Sequence, residues 1–170
     1  MPKKIIATNK APAAVGPYSQ AVLAGGFLFI SGQIAIDPKT GSLTGGSSAE
    51  QTRRIMSNIA AILDEAGASL SDLVKCDIFV TDLGQFKAIN DVYAEFFDDQ
   101  PPARATVQVS ALPLGVDVEI AAVAAVDIDT ALEAVSLIEV DYEELPPVLD
   151  GLKAMDEGQP RLHEKYERNI

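Results

Sequence analysis

The sequence is poor in the side chains that build metal and disulfide sites. Its 170 residues include one cysteine, Cys76, one histidine, His163, and no tryptophan. A single cysteine excludes an intramolecular disulfide, and zinc or iron would have to be bound by carboxylates almost alone, which neither metal favours. We therefore predict that the protein uses no metal and that His163 lies on its surface.

Long apolar runs and basic residues are also scarce. No tract is long enough to cross a bilayer, and the lysines near the N-terminus precede no apolar region of signal-peptide length. The net charge is −12, whereas binding to phosphate groups needs a basic face. These features predict a cytoplasmic protein with no membrane and no nucleic-acid partner.

Acidic residues are unevenly distributed along the chain. Residues 1–126 contain nine Lys and Arg against thirteen Asp and Glu, and residues 127–170 contain four against twelve. A hydrophobic content of 48% is enough for a core in a chain of this length. We predict one domain over residues 1–126 and an acidic extension over residues 127–170.

Local signals predict the order strand, strand, strand, helix, strand, helix, strand, strand. Gly25-Gly26 is a hairpin signal, and Ser47 or Ser48 is a suitable N-cap for a helix that apolar periodicity continues to Ala66. A second apolar stripe predicts a helix over residues 83–97. The expected fold class is α+β, with one mostly antiparallel sheet and two helices packed on one of its faces.

The fourth predicted strand alternates over residues 74–81. Its apolar face is formed by Val74, Cys76, Ile78 and Val80. Because Cys76 lies on that face, we interpret it as a small core residue and not as a nucleophile.

The last two predicted strands cover residues 101–109 and 116–123. We expect the turn at 111–115 to join them into a central hairpin. Each strand carries one charge in an apolar run. Arg104 opens the first strand and Glu119 lies inside the second. A buried charge is costly unless it is paired or hydrogen-bonded. Either the two residues satisfy each other, or they face a polar pocket that a ligand completes. Alternatively, Arg104 is a solvated residue at a strand edge and Glu119 lies on a wet sheet face.

These two strands are apolar on both sides, yet the helices can cover only one face of the sheet. Burial against other subunits is an economical way to cover the second face. We therefore expect the protein to assemble from several copies.

Several segments of the sequence resemble the Rid family, the YjgF/RidA-type deaminases of 2-imino acids and enamines. The match runs in order and at normal spacing from about residue 3 to residue 126. Its segments are residues 13–21, 30–34, 37–41 and 80–83, the positions Phe86, Asn90, Tyr93, Phe96 and Phe97, and a signature from Pro102-Ala103-Arg104 through Leu112-Pro113 to Val118-Glu119-Ile120. The resemblance implies a chorismate-mutase-like subunit, a homotrimer with ligand sites in the clefts between subunits, and no cofactor.

The resemblance also implies hydrolysis of reactive 2-imino acids, or of their enamine tautomers, to 2-oxo acids and ammonia. In this interpretation Arg104 holds the substrate carboxylate in two parallel hydrogen bonds, and Glu119 positions the attacking water and moves protons. The other matched residues expected to line the pocket are Tyr18, Ser31, Gly32, Asn90 and Thr106. Thr106 departs from the many bacterial members that have Cys at this position, which puts the substrate preference in doubt.

Two other functions can be weighed against a deaminase. A non-catalytic module could bind 2-oxo acids or related small carboxylates in the same cleft, and it would need Arg104 but not Glu119. A Glu119→Gln variant that binds carboxylates and loses turnover would favour the enzyme. The ribonuclease or translation-inhibitor function sometimes attached to the family fits poorly with an acidic chain that lacks a pair of catalytic histidines.

The extension resembles a second family over a short stretch. Residues 131–150 and 160–164 are similar to a piece of the molybdenum hydroxylase large subunit, of the xanthine dehydrogenase/aldehyde oxidase type. The piece contains none of the pterin-binding loops, so we predict no molybdenum chemistry. Its patterning predicts a helix over residues 130–138 and a strand over residues 138–143, which could dock on the protein's own trimer or on a partner.

Overall fold

A computed structural model of the protein describes residues 3–126. The predicted extension over residues 127–170, with its helix, its strand, His163 and the segment similar to molybdenum hydroxylases, lies outside the described residues. Among the helices of residues 3–126, none combines the length and the apolar content needed to cross a bilayer.

Six strands and two α-helices follow one another in the predicted order. The strands are β1 (Lys4–Ile6), β2 (Ala21–Ala24), β3 (Phe27–Gln33), β4 (Leu73–Val80), β5 (Ala103–Gln108) and β6 (Val118–Ala125), and the helices are α1 (Ser48–Glu65) and α2 (Phe86–Ala94). The strands form one sheet, and α1 packs on β3 and β6 and against α2. The predicted α+β class is therefore confirmed.

The first helix begins and ends where the sequence predicts. Ser47 is the N-cap: its hydroxyl oxygen accepts the backbone N–H of Glu50, and the Glu50 carboxylate accepts the backbone N–H of Ser47 at 2.8 Å. This reciprocal pair satisfies two of the donors that a helix start leaves unpaired. The helix stops at Ala66, followed by Gly67 with a φ of 77°, a conformation that glycine adopts without a steric penalty.

The predicted central hairpin is wrong. The sheet order is β1-β2-β3-β6-β4-β5, so β4 lies between the last two strands, and β5 is an edge strand. β4 and β5 run parallel and are connected through α2, whereas all other neighbours are antiparallel. Parallel strands need a crossover of this kind. With β5 on one side of β4, only the other side is left for β6.

The predicted apolar face of β4 is also wrong at one residue, Val74. Cys76, Ile78 and Val80 are buried, as expected, but Val74 is 42% exposed and Leu73 is buried in its place. The pairing of β4 with β6 shifts register between Leu73 and Lys75. Such a bulge interrupts the two-residue alternation, and the alternation alone cannot reveal it.

The sheet face away from the helices is apolar and open in the single chain. Phe27 and Phe29 of β3 are about half exposed, as is Val107 of β5. Phe29 pairs with Val123 across β3 and β6, and Val107 pairs with Phe79 across β5 and β4. Within residues 3–126, the helices therefore cover one face of the sheet, and no element of this segment covers the other.

Candidate functional site

Glu119 lies on the helix-free face of β6, beside an irregular part of β3. The two strands pair regularly up to Ile30, and the register then shifts before Gln33. Ser31 and Gly32 occupy this bulge. A Cβ atom built at Gly32 would overlap the Oε1 atom of Glu119, so only glycine allows the carboxylate to lie against the backbone of β3.

A cavity of about 440 Å³ opens beside this carboxylate. It is lined by four of the residues predicted for the site, namely Tyr18, Ser31, Gly32 and Glu119. We call this cavity the Glu119 pocket. Burial raises the pKa of the Glu119 carboxyl above its usual range, and no charged group of residues 3–126 offsets that effect. The carboxylate is thus unpaired and is a stronger base than a solvated glutamate.

The loop before β2 forms one wall of the Glu119 pocket, and the buried side chain of Gln20 holds it in shape. The Gln20 amide nitrogen donates to the carbonyl oxygens of Thr8 at 3.0 Å and Pro12 at 2.7 Å. The Gln20 amide oxygen accepts the backbone N–H of Thr8 at 2.6 Å. Sequence reasoning missed this residue; the signal was a polar side chain directly before an apolar strand.

Tyr18 lies at the mouth of the pocket and is about half exposed. Its backbone N–H donates to the carbonyl of Gly16, and its phenol oxygen accepts the backbone N–H of Val15 at 3.4 Å. Ser31 is turned toward the same loop, because its hydroxyl donates to the carbonyl of Ser19 at 2.7 Å. The tight Gly-Pro-Tyr turn therefore fixes the phenol beside the pocket.

Arg104 lies in a different place, on the edge strand β5 and above α2. Its guanidinium carbon is 5.0 Å from the ring centre of Tyr93 and 5.6 Å from that of Phe86. A second cavity, with a volume of about 410 Å³, lies beside Arg104 and is also lined by Asn90. We call it the Arg104 pocket. Within residues 3–126 the guanidinium forms no ion pair, so its planar fork of N–H donors is available to a carboxylate.

The two predicted catalytic residues of one chain are on opposite faces of the sheet. Arg104 is in register with Cys76, which is buried on the helix side, whereas Glu119 is in register with Phe79 on the other side. The interpretation that the two residues satisfy each other is therefore wrong for a single chain. Thr106 is on the same side as Arg104 and is half-buried, but it lines neither pocket.

The aromatic support under Arg104 was not predicted as part of a site. Phe86 and Tyr93 are seven residues apart, a spacing that places both on one side of a helix, within the apolar stripe that predicts the second helix. Tyr93 is buried, but Phe86 is 39% exposed. The buried Tyr93 hydroxyl lies beside the Cys76 thiol, and burial, followed by this thiol, raises the pKa of the phenol.

Cys76 is a core residue, as predicted. It is fully buried, and this burial is the main reason that the pKa of its thiol is raised. A thiol in such surroundings stays protonated at neutral pH and is a poor nucleophile.

Comparisons with known proteins agree with one another on the family. The family model described as Endoribonuclease L-PSP matches residues 8–126. A RutC family protein of Pyrococcus abyssi is 51% identical over 124 residues, which cover 73% of this chain and 98% of that protein. A protein of Bos taurus named 2-iminobutanoate/2-iminopropanoate deaminase is 48% identical over 122 residues, covering 72% of this chain and 89% of that protein.

Solved structures show the same fold. The crystal structure of a protein from Thermotoga maritima, described as a putative endoribonuclease, superimposes with a TM-score of 0.70 at 48% identity, covering 72% of this chain and 96% of that one. The structure of E. coli TdcF with bound serine superimposes with a TM-score of 0.69 at 44% identity, covering 72% of this chain and 98% of that one. One sheet with two helices is thus the architecture of these relatives as well.

Proposed function

The chain belongs to the Endoribonuclease L-PSP family, the family of Rid proteins, and we propose that it hydrolyses reactive 2-imino acids and their enamine tautomers to 2-oxo acids and ammonia. The observation that carries this proposal is the pair of open pockets, the Arg104 pocket and the Glu119 pocket, each with one charged group that no group of residues 3–126 pairs. An unpaired guanidinium suits the substrate carboxylate, and an unpaired carboxylate of raised pKa suits proton transfer from water. Relatives at 48% and 47% identity carry the name of this deaminase.

In this proposal the active site is completed between copies of the chain, in a homotrimer. Arg104 and Glu119 of one chain face opposite sides of the sheet, so a single substrate cannot reach both within one copy. The open apolar face that carries Phe29 and Val107 supports such an assembly, because water-exposed patches of this kind usually mark contact surfaces. A neighbouring copy then brings its Arg104 to the Glu119 pocket.

The reaction can be written with these groups and one water molecule. Arg104 binds the substrate carboxylate through two parallel hydrogen bonds and so fixes the adjacent C=N carbon. As the water oxygen forms a C–O bond to that carbon, Glu119 takes one proton from the water and gives it to the nitrogen, which yields a carbinolamine. Glu119 then takes the proton of the new hydroxyl and passes it to the nitrogen. The C=O bond forms as the C–N bond breaks, ammonia leaves, and the 2-oxo acid remains. Because free imines hydrolyse readily, positioning and proton transfer suffice and no covalent intermediate with the protein is needed.

A trapping assay tests the proposed reaction. An amino acid oxidase generates the 2-imino acid in place, and semicarbazide captures the imine that escapes hydrolysis. We expect the wild-type protein to lower the yield of trapped imine, and Arg104→Ala and Glu119→Gln to lose this effect. Arg53→Ala is the control, because Arg53 pairs with Glu95 on an exposed surface away from both pockets. Full trapping with the wild-type protein for every amino acid tried would contradict a deaminase.

The same variants separate catalysis from mere binding of carboxylates. A non-catalytic module would bind 2-oxo acids with Arg104 and would be indifferent to Glu119→Gln. The proposed enzyme keeps this binding in Glu119→Gln and loses turnover. Titration of the variant with 2-oxobutanoate, beside the trapping assay, therefore distinguishes the two functions.

The endoribonuclease in the family's description is not the activity that we propose. RNA is a polyanion, and this chain has a net charge of −12. Its only histidine, His163, lies beyond the residues that match the family. General acid–base cleavage of RNA would therefore have to proceed without a histidine in the matched domain.

We further propose that the protein has one catalytic domain over residues 1–126 and an appendage over residues 127–170 that serves docking. The family match ends at residue 126, which supports this division. No molybdenum chemistry is proposed for the appendage. The cytoplasmic location stays a prediction from the sequence.

A further inference from the structure

The irregular part of β3 beside Glu119 is a bulge of one extra residue. Ile30 pairs with Ala122 of β6, and the next pair joins Gln33 to Ile120. Three steps along β3 therefore span two steps along β6. Backbone groups in such a bulge lose their regular partners in the sheet, and where they are shielded from water they need others.

Hydrogen bonds from outside the sheet pairing hold this bulge. On one side, the backbone N–H of Ser31 donates to the carbonyl of Gln20 at 3.0 Å, and its hydroxyl donates to that of Ser19 at 2.7 Å. On the other side, the side-chain amide nitrogen of Gln33 donates to the carbonyl of Ser31 at 3.1 Å and lies 3.5 Å from that of Gly32. Within residues 3–126, no other side chain donates to these two carbonyls.

The amide group of Gln33 can bind the bulge in one orientation. A carbonyl oxygen accepts hydrogen bonds and donates none, so the amide nitrogen, and not the amide oxygen, faces the carbonyls of the bulge. Gln33 lines the Glu119 pocket and is 5% exposed. Without its N–H donor, a carbonyl at this place would lose a hydrogen bond that water replaces poorly.

The bulge also places Gly32 next to the Glu119 carboxylate. If the regular pairing continued from Ile30, Gln33 would lie opposite Glu119. Because Ile30 is buried on the helix side, strict alternation would turn Gly32 to that side as well, away from the carboxylate. In the actual register, a Cβ atom at Gly32 would overlap the Oε1 atom of Glu119. The free space that the carboxylate occupies therefore exists only while the bulge persists.

From these contacts we infer that Gln33 is a positioning residue for the proposed reaction: by holding the carbonyl groups of the bulge, it keeps the Glu119 carboxylate against Gly32 and beside the cavity. The inference rests on the proposed function and adds a residue to the same site. Gln33 acts through Glu119 and not on the substrate. Loss of its N–H donor should therefore impair proton transfer more than binding of the substrate carboxylate, which the proposal assigns to Arg104.

Gln33→Met tests this role, and Thr52→Val is its matched control. Methionine has nearly the length of glutamine but no N–H to donate. Thr52 is also buried, and its hydroxyl donates to a backbone carbonyl, that of Ser48, at 2.7 Å. It lies on α1 and lines neither pocket. Both variants thus lose a side-chain hydrogen bond to a backbone carbonyl at nearly constant shape, one beside Glu119 and one away from it.

Three readouts separate positioning of Glu119 from general damage to the fold. The trapping assay measures turnover, and calorimetric titration with 2-oxobutanoate measures binding without turnover. NMR titration of protein with isotope-labelled glutamate measures the pKa of Glu119, whose signal is identified by its absence from Glu119→Gln. Among the residues of 3–126 that line the pocket, Glu119 has the one carboxyl group, and Tyr18 is the other titratable side chain.

We expect Gln33→Met to lower turnover by about ten- to a hundredfold, because a displacement of about 1 Å can cost a catalytic group that much. Its affinity for 2-oxobutanoate should change little. Burial raises the pKa of Glu119 in the wild-type protein, so a carboxylate released from the bulge toward water should have a pKa closer to the ordinary value. Thr52→Val should leave all three quantities unchanged.

The possible results distinguish the positioning role from the deaminase itself. If Gln33→Met behaves like Thr52→Val in turnover and in the pKa of Glu119, or loses binding as much as turnover, the positioning role is wrong and the deaminase stands. If the pKa falls in Gln33→Met but the wild-type protein hydrolyses no imine, Gln33 positions Glu119 and the deaminase is wrong.

A measurement on the wild-type protein decides the question if Gln33→Met does not fold. Hydrogen exchange of the Gln33 side-chain amide, followed by NMR, should be slow, since its nitrogen is bonded to the bulge. The exposed side chain of Gln85, which caps nothing, is the reference for fast exchange. Exchange at Gln33 as fast as at Gln85 would overturn the inference.

Discussion

Arg104 is supported in the structure by two aromatic rings and not by a carboxylate. The guanidinium lies over Tyr93 at 5.0 Å and over Phe86 at 5.6 Å, measured from its carbon to the ring centres. Such contacts favour one position of the cation while they leave its N–H donors unused. An acidic partner would compete with the substrate carboxylate, whereas a ring does not. We therefore propose that Phe86 and Tyr93 act as positioning residues for Arg104 in the proposed reaction.

Phe86→Leu tests this support at its more exposed ring. The substitution keeps an apolar side chain on α2 but removes the π face, and an exposed contact of this type corresponds to about a two- to fivefold effect on affinity. We expect KM for the imine to rise by that factor while kcat changes little. Tyr93→Phe is the control, because it retains the ring under the Arg104 guanidinium and removes only the hydroxyl. An unchanged KM in Phe86→Leu would contradict the positioning role.

The buried Cys76 thiol should resist chemical modification in the native protein. Burial raises the pKa of its thiol, so the fraction of reactive thiolate at pH 8 is lower than in an unfolded chain, where the thiol has its ordinary pKa. A disulfide reagent such as DTNB should leave the native protein unmodified at pH 8 and should react with one thiol per chain in denaturant. Rapid modification of the native protein would show that Cys76 is accessible, contrary to its full burial.

At the level of whole elements, the loop between β1 and β2 shows how much a buried amide contributes to a site. Gln20 is 4% exposed; its amide nitrogen donates to the carbonyls of Thr8 and Pro12, and its amide oxygen accepts the backbone N–H of Thr8. These bonds replace the regular pairing that a loop lacks. The same loop carries Val15 and Tyr18 into the Glu119 pocket.

Gln20→Leu removes these bonds at nearly constant volume. Because several partly buried backbone groups lose their partner, we expect the free energy of unfolding to fall by about 1–3 kcal/mol. KM should rise as well, since Tyr18 is no longer held at the pocket. Chemical denaturation and the trapping assay measure the two effects. Gln85→Leu, at an exposed glutamine whose side chain caps nothing, should change neither quantity, and equal stability of the two variants would contradict the proposed role of Gln20.

The bounds of α1 and of the turns could be predicted from the sequence better than the pairing of the strands in the sheet. Caps and glycine turns are local, so the bounds of α1 and the turn at Gly25-Gly26 could be predicted from a few residues. Strand pairing is not local: the apolar run of β5 fits beside either β4 or β6. Arg104 and Glu119 stand out in the sequence as charges in apolar runs, and their roles in catalysis stay a prediction. The aromatic support of Arg104 was not visible, because Arg104 of β5 meets Phe86 and Tyr93 of α2 only after folding.

At the level of the whole molecule, the open sheet face is the feature that a single chain leaves unexplained. Its exposed phenylalanines would cost free energy in water, and a contact between copies removes that cost. Because Arg104 and Glu119 lie on opposite faces of the sheet, the proposed active site also requires a second copy of the chain. Both observations support the proposed homotrimer.

Phe29→Glu places a charge in the middle of the open face. A buried, unpaired carboxylate is strongly unfavourable, so the copies should separate and the deaminase activity should be lost with them. Light scattering after gel filtration should give three times the 18.0 kDa chain mass for the wild-type protein and a single chain mass for the variant. Thr40→Glu, on an exposed turn, should leave the assembly intact. A wild-type monomer would overturn the proposed assembly.

Co-expression of two inactive variants tests the central claim most directly. Arg104→Ala and Glu119→Gln chains should each form assemblies without activity, because every site lacks one of the two groups. In mixed assemblies, some sites receive Arg104 from one copy and Glu119 from another. Random mixing in equal amounts should restore about one quarter of the wild-type rate. Activity no higher than that of either variant alone would contradict the account, because it would show that no site is completed by these two residues from different copies.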